Sequence, residues 1–195
     1  MDWALPVYIL VVFAGATVAP GVAYLAWRHR TAPGMGVLAA GLMAKAVWCL
    51  FDLFHLFASD PESARFWYQA QHLGSIALNP AAALLCYQLV RRTNRIPVWL
   101  ALPLLLETAF SWLVMASNDR HGLFWSNITV DMSSFPSVLA ERGLWGRARI
   151  VYVAVVQLAG LAAVIMALPT ASPYYRRQSV VPILSTIFGF GAMFL

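Results

Sequence analysis

The chain has 195 residues, of which 61% are hydrophobic and only 11% are charged, and its mean hydropathy is +0.71. A soluble domain of this length needs a charged surface that this composition does not supply, so soluble classes are excluded. The net charge of +5 might suggest nucleic acid, but the basic residues do not form one face interleaved with aromatics, so no nucleic-acid partner is expected. The lipid bilayer is the predicted partner.

Six long apolar runs follow in chain order and predict membrane-spanning helices. They cover about 4–27, 35–58, 66–90, 96–117, 147–168 and 178–195. At about 1.5 Å per residue, each of the first five is long enough to cross a hydrocarbon core of about 30 Å. The runs lack the alternation of barrel strands. The predicted fold class is therefore all-α integral membrane, a polytopic helical bundle that forms one domain over 1–195.

Arginines are concentrated in the loops that lead from odd to even spans. These loops contain no acidic residue and carry Arg28, Arg30, Arg91, Arg92, Arg95, Arg176 and Arg177. Short basic loops stay in the cytoplasm, so we expect an outside N-terminus and inside arginine loops in a bacterial inner membrane. The sixth run then begins inside and stops at Leu195 without a polar flank, which predicts that the chain ends before a further span.

Cysteines and short motifs give no sign of catalysis. Cys49 and Cys86 lie inside spans and are interpreted as packing residues. A phosphate-binding loop, a dinucleotide fingerprint and an HExxH motif are all absent from the sequence, so no cofactor is expected and this chain is not predicted to be an enzyme. His55, His72 and Asp52 have metal-binding side chains but not a metal-binding spacing, so no metal is expected.

Polar side chains inside the apolar runs are the strongest functional signal. In "KAVWCLFDLFHLF", which covers 45–57, Lys45 and Asp52 are seven residues apart and share a helix face. The whole candidate ligand-binding set is Lys45, Asp52, His55, His72, Asn79 and Glu107. A charge at the bilayer centre costs at least about 2.5–3.5 kcal/mol, so such residues normally face the bundle interior and pair.

Two compatible interpretations of this set remain open. In the first, Lys45 and Glu107 form a structural pair at mid-depth, with Asp52 as the substitute partner of Lys45. In the second, the polar residues form the floor of an outward-open pocket for a small signal. Histidines beside a carboxylate would also suit a pH sensor, because they titrate near neutrality.

One loop, from about 117 to 146, is longer than the others. Trp125 and Trp145 lie near its two ends. Tryptophans at these positions are typical of an interfacial aromatic belt. Long ordered loops are often functional, so a lid over an outward-facing cavity is the alternative interpretation.

Three stretches of this sequence carry a family resemblance. The first is "SNDRHGLFW" after the fourth span, with an Asn, a His and an aromatic. The second is "GLWGRARIVY", with Gly143, Trp145 and Tyr152, and the third is "YYRRQSVVPIL", with an Arg-Gln pair. Together with Asn79-Pro80 in the third span, they resemble the N-terminal seven-helix sensor region of bacterial histidine kinases. The chain departs from that pattern at Arg149, where the family often has a histidine.

The resemblance implies a sensor that passes a small extracytoplasmic or membrane-borne signal to a cytoplasmic output domain of the parent chain. In such proteins the output is usually a histidine kinase, which normally requires a homodimer, and sometimes a cyclic-dinucleotide enzyme. A small transporter or channel subunit is the alternative, since intramembrane charges suit it too, although no internal repeat is visible. A membrane enzyme is disfavoured by the very short cytoplasmic loops.

Overall fold

The computed structural model describes residues 4–133 and 135–169, and five long helices make up most of this part of the chain. The elements in chain order are α1 (Ala4–Arg28), α2 (Met35–Leu56), α3 (Pro61–Arg91), α4 (Val98–Ala116), α5 (Asn118–His121), β1 (Trp125–Asp131), β2 (Ser137–Arg142) and α6 (Leu144–Ala167). The predicted helical bundle is confirmed. The sixth predicted run, 178–195, lies outside the described residues.

All five long helices are long and apolar enough to cross a membrane. Each exposes large apolar side chains on its outer surface, among them Leu10, Met43, Phe66, Leu113 and Met166. In a bilayer, lipid tails cover such side chains, while the helical backbone satisfies its own hydrogen bonds. The five helices correspond to the first five apolar runs of the sequence.

The third span is longer than the hydropathy pattern predicted. It begins at Pro61, where Asp60 is the N-cap and its side chain accepts a hydrogen bond of 2.8 Å from the Ser63 N–H. This bond, with a second from the Ser63 hydroxyl, lowers the pKa of the exposed Asp60 carboxyl. At about 1.5 Å per residue, α3 is about 46 Å long and extends beyond a hydrocarbon core of about 30 Å.

Helix α3 is the central element of the described bundle. It packs against α2, α4 and α6, while α1 packs against α2. The approach of α2 and α3 depends on Gly74, because a Cβ there would lie 2.4 Å from the carbonyl oxygen of Ala44 and 2.6 Å from the amide nitrogen of Trp48. The central position of α3 decides which polar side chains of the other helices meet.

Two of the loops that carry arginines, α1–α2 and α3–α4, lie side by side at one end of the bundle, here called the arginine end. The side chain of Asn94, in the α3–α4 loop, donates a short hydrogen bond to the carbonyl oxygen of Thr31 in the α1–α2 loop. The side chain of Gln88 in turn donates to the Asn94 carbonyl oxygen at 2.9 Å. Arg176 and Arg177 lie outside the described residues.

The opposite end, the hairpin end, is covered by the segment predicted as a long loop. This segment forms the single turn α5 and an antiparallel pair, β1 with β2, in which Val130 lies opposite Val138. An ion pair of 2.7 Å between Arg65 and Asp119 ties the start of α3 to α5. The hairpin was not predicted, and it adds a small sheet to a fold that is otherwise helical.

Candidate functional site

The base of the hairpin is packed on α3 and α4. Phe124 and Trp125 are buried and form one apolar cluster with Ile76, Val114 and Met115. The ring of His72 lies against both aromatics, with centroid distances of 6.2 Å to Phe124 and 5.0 Å to Trp125. The long loop therefore packs on the third span and covers His72, one of the predicted site residues.

Asn118 holds the hairpin base in this position. Its side-chain oxygen accepts hydrogen bonds from the N–H groups of Phe124 at 2.8 Å and Trp125 at 2.9 Å, and its amide donates to the Trp125 carbonyl at 3.0 Å. His121 accepts a bond of 3.0 Å from the Leu123 N–H. The Asn and His of "SNDRHGLFW" therefore have a structural role, which is to shape the turn that leads into β1.

Two predicted site residues, His55 and His72, meet through Tyr68. The ring centroid of Tyr68 lies 5.9 Å from that of His55 and 5.1 Å from that of His72. His55 Nδ1 donates to the Ala64 carbonyl at 3.0 Å, and His72 Nδ1 donates to the Tyr68 carbonyl at 2.9 Å. Because a carbonyl only accepts, Nδ1 carries the proton in both rings and Nε2 is left as an acceptor in the neutral form.

Glu107 forms a buried ion pair with Arg149 of α6. Arg149 Nε lies 3.2 Å from Glu107 Oε1, and the two side chains are only 11% and 12% exposed. Ser111 donates to the same oxygen at 2.7 Å, and the indole N–H of Trp145 donates to Ser111 at 3.1 Å. We name Glu107, Ser111, Trp145 and Arg149 the polar cluster. Trp145 also packs against the apolar cluster on which the His72 ring lies.

The predicted Lys45–Glu107 pair is wrong. Helix α3 lies between α2 and α4, so Lys45 does not reach Glu107, whose carboxylate turns toward α6. Lys45 instead places its Nζ 3.4 Å from the centroid of the Trp48 ring on its own helix. A cation over an indole face is stabilised by the ring quadrupole, which explains how the ammonium is accommodated within a span.

Several polar atoms of the ion pair make no hydrogen bond to the described residues. Although Arg149 Nε and Glu107 Oε1 are 3.2 Å apart, they are not aligned as a hydrogen bond. Within residues 4–133 and 135–169, Arg149 Nε and Nη2 and Glu107 Oε2 are buried without a hydrogen-bond partner. Buried polar atoms are normally satisfied, so these three atoms have unused hydrogen-bonding capacity among the described residues.

The other predicted residues lie at separate helix contacts. Asp52 accepts a hydrogen bond of 2.5 Å from the Tyr8 hydroxyl of α1. Asn79 accepts one of 3.1 Å from the side-chain amide of Gln157 in α6. The six residues are thus divided. His55, His72 and Glu107 lie toward the hairpin end, Asp52 and Asn79 lie at contacts between spans, and Lys45 stacks on Trp48 within α2.

Sequence reasoning missed three of the residues that complete these contacts, namely Tyr8, Arg149 and Gln157. Arg149 lies within two residues of the predicted start of the fifth span at 147 and was not predicted to lie inside the bundle, whereas α6 begins at Leu144. Two features of the sequence point to Arg149: Glu107 needs a basic partner within the bundle, and Arg149 stands where the family often has a histidine. A metal role finds no support among the described residues, where no three His, Cys, Asp or Glu side chains come together.

Comparison with known proteins gives one match. The family described as the N-terminal 7TM region of histidine kinase matches residues 11–195. No match was found among curated proteins or among solved structures. The five apolar helices, together with a family match over nearly the whole chain, confirm the resemblance and favour a sensor over a transporter. The chain therefore belongs to the family of N-terminal 7TM regions of histidine kinases, and it is a multi-pass membrane sensor region.

Proposed function

We propose that this region binds a small extracytoplasmic or membrane-borne signal and relays it to a cytoplasmic output domain of its parent chain. The observation that carries this proposal is the polar cluster, a buried ion pair with free donors and a free acceptor. A few convergent polar groups in apolar surroundings are typical of ligand sites. The region has no catalytic role in this proposal, since the chemistry belongs to the output domain.

Among the six predicted residues, we propose that His72 and Glu107 contact the signal. His55 supports His72 through the shared Tyr68 ring. Asp52 and Asn79 act at the α1–α2 and α3–α6 contacts, where their partners fix the helix arrangement, and Lys45 is held by Trp48 of its own helix. In this proposal, His72 and Glu107 sense the signal and the other four residues stabilise the bundle around them.

The relay is proposed to run along α3. This helix contacts the hairpin at one end and carries Arg91 at the other, and Pro80 interrupts its hydrogen-bond ladder between them. A signal that competes with Glu107 for Arg149 has a different affinity for the paired and the separated arrangement of α4 and α6. Such a difference is what a ligand needs to shift a receptor between two states.

Orientation is part of the proposal and has its own test. With the arginine end in the cytoplasm, a phosphatase that is active only outside the cytoplasm should give no activity when it is fused after residue 94. The same reporter fused after residue 130, in the hairpin, should be fully active, because positively charged short loops are retained inside. The reverse pattern of activities would mean that the hairpin is cytoplasmic and would contradict an external signal.

The sensing role is tested by grafting the 7TM region onto a kinase that drives a known reporter. The stimuli are medium-chain fatty acids of several lengths, which serve as amphipathic probes and are added at constant external pH. We expect the parent to respond, and the His55→Ala/His72→Ala double variant to lose the response while it inserts normally.

The matched control for this experiment is His29→Ala. His29 is exposed at the arginine end, where its ring bonds only to the backbone of its own helix turn. This variant should respond like the parent. A double variant that also responds like the parent, or a parent that responds to no stimulus, would contradict the proposed site.

A further inference from the structure

A second candidate site lies at the arginine end, far from the polar cluster. The end of α3, the α3–α4 loop and the start of α4 enclose an open cavity of about 500 Å³. Its polar wall consists of Tyr87, Arg91, Thr93 and Arg95. The volume is within the range of about 300–1,000 Å³ that is usual for small-ligand pockets.

The cavity is positively charged. Arg91 and Arg95 are both exposed, and the two ion pairs of the described residues, Arg65–Asp119 and Arg149–Glu107, involve neither of them. The chain between 87 and 98 contains no acidic residue. Arginine binds phosphate oxygens through two parallel N–H groups, so two arginines on one rim favour a phosphate group.

The start of α4 adds to this preference. Helix α4 has 19 residues and begins at Val98, and its N-cap is Pro97, which supplies no capping side chain. The first N–H groups of a helix have no intrahelical partner, and the helix dipole makes this end positive. Together with the two arginines, the helix end makes the cavity suited to an anion.

The cavity also has an apolar side. Ile96 and Val98 line it, and Val98 is 74% exposed. Two exposed tryptophans lie at the same end of the bundle, Trp27 near the end of α1 and Trp99 in the first turn of α4. Tryptophans are enriched where lipid headgroups meet the hydrocarbon, so the cavity opens at headgroup depth.

We propose that this cavity binds the headgroup of an anionic phospholipid, with the phosphate between Arg91 and Arg95 and an acyl chain along Val98. A soluble anion would use the arginines but not the exposed apolar wall. A zwitterionic lipid would use the wall, but its own cation would weaken the attraction to the arginines. Only an anionic lipid matches both halves of the cavity, and basic pockets at the ends of spans are known to suit such headgroups.

The test is native mass spectrometry of the full chain in neutral detergent, titrated with dioleoylphosphatidylglycerol. We expect one lipid bound to the parent. Arg91→Gln/Arg95→Gln should weaken binding by about thirtyfold, the effect of two basic side chains near anionic lipid. Arg28→Gln/Arg30→Gln removes the same charge from the same end of the bundle but not from the cavity, and it should bind like the parent.

Three further arms complete the test. Dioleoylphosphatidylcholine should bind more weakly than phosphatidylglycerol, and inorganic phosphate at equal concentration should not displace the bound lipid. If the double glutamine variant does not fold, Arg95→Gln alone should weaken binding by about fivefold. Equal losses in the two double variants, equal binding of both lipids, or displacement by phosphate would each overturn the proposal.

Discussion

Glu107→Gln is expected to be among the most destabilising single substitutions in this protein. It leaves the Arg149 guanidinium buried without its counter-ion, and arginine stays charged in proteins. Removal of one partner of a buried pair typically costs roughly 3–5 kcal/mol. Arg149→Met should cost less, because Glu107 keeps the hydrogen bond that it accepts from Ser111. Thermal unfolding in detergent, followed by tryptophan fluorescence, measures both losses.

The double variant decides whether the two residues act as a pair. Glu107→Gln with Arg149→Met should recover part of the stability, because no unpaired charge remains. The matched control is Glu107→Gln with Lys45→Met, which should be additive, since these two side chains have different partners. Additivity in the first pair, or recovery in the second, would contradict the assignment of Arg149 as the partner of Glu107.

Asn118→Ala is expected to release the base of the hairpin. The substitution leaves the buried N–H groups of Phe124 and Trp125 without an acceptor, and the Trp125 carbonyl loses a donor. Unsatisfied buried groups cost about 1–3 kcal/mol each, so a loss of about 2–6 kcal/mol is expected from the two N–H groups. The measurements are the unfolding temperature and the rate of amide hydrogen exchange at residues 123–126, which should rise sharply.

Asn127→Ala is the matched control for this substitution. Asn127 lies in β1 of the same hairpin but is exposed, so its replacement should change stability by less than about 0.5 kcal/mol. Asn118→Asp should be intermediate, because an aspartate keeps the acceptor for both N–H groups and loses the donor to the Trp125 carbonyl. If Asn118→Ala behaves like Asn127→Ala, the Asn118 hydrogen bonds do not hold the hairpin.

Much of this architecture was readable from composition and hydropathy. Five of the predicted runs appear as helices, because about twenty apolar residues in a bilayer have no other way to satisfy their backbone. Family membership could also be predicted from the sequence, because "SNDRHGLFW" and "GLWGRARIVY" are short, continuous motifs. The structure explains the first of these, because Asn118 and Phe124 are close enough along the chain to bond within one turn.

The hairpin could not be derived in the same way. The segment 117–146 has no long apolar run, and its strands are held by pairing between residues such as Val130 and Val138 and by packing of Trp125 on Tyr68 and His72. Strand propensity depends on such neighbours, which are distant in sequence. Hydrophobic periodicity alone therefore predicts a loop for this segment.

The sequence by itself determined that this protein is a helical membrane bundle, that the loops after its first and third spans are basic, and that Glu107 and His72 must be sheltered within it. Only the tertiary structure decided that Glu107 pairs with Arg149 rather than Lys45, and that Asn79 meets Gln157. Hydropathy reports how deep a residue lies along a span but not which neighbour its helix faces. That neighbour is set by the packing of α2, α4 and α6 around α3, where close contacts such as that at Gly74 fix the helices in place.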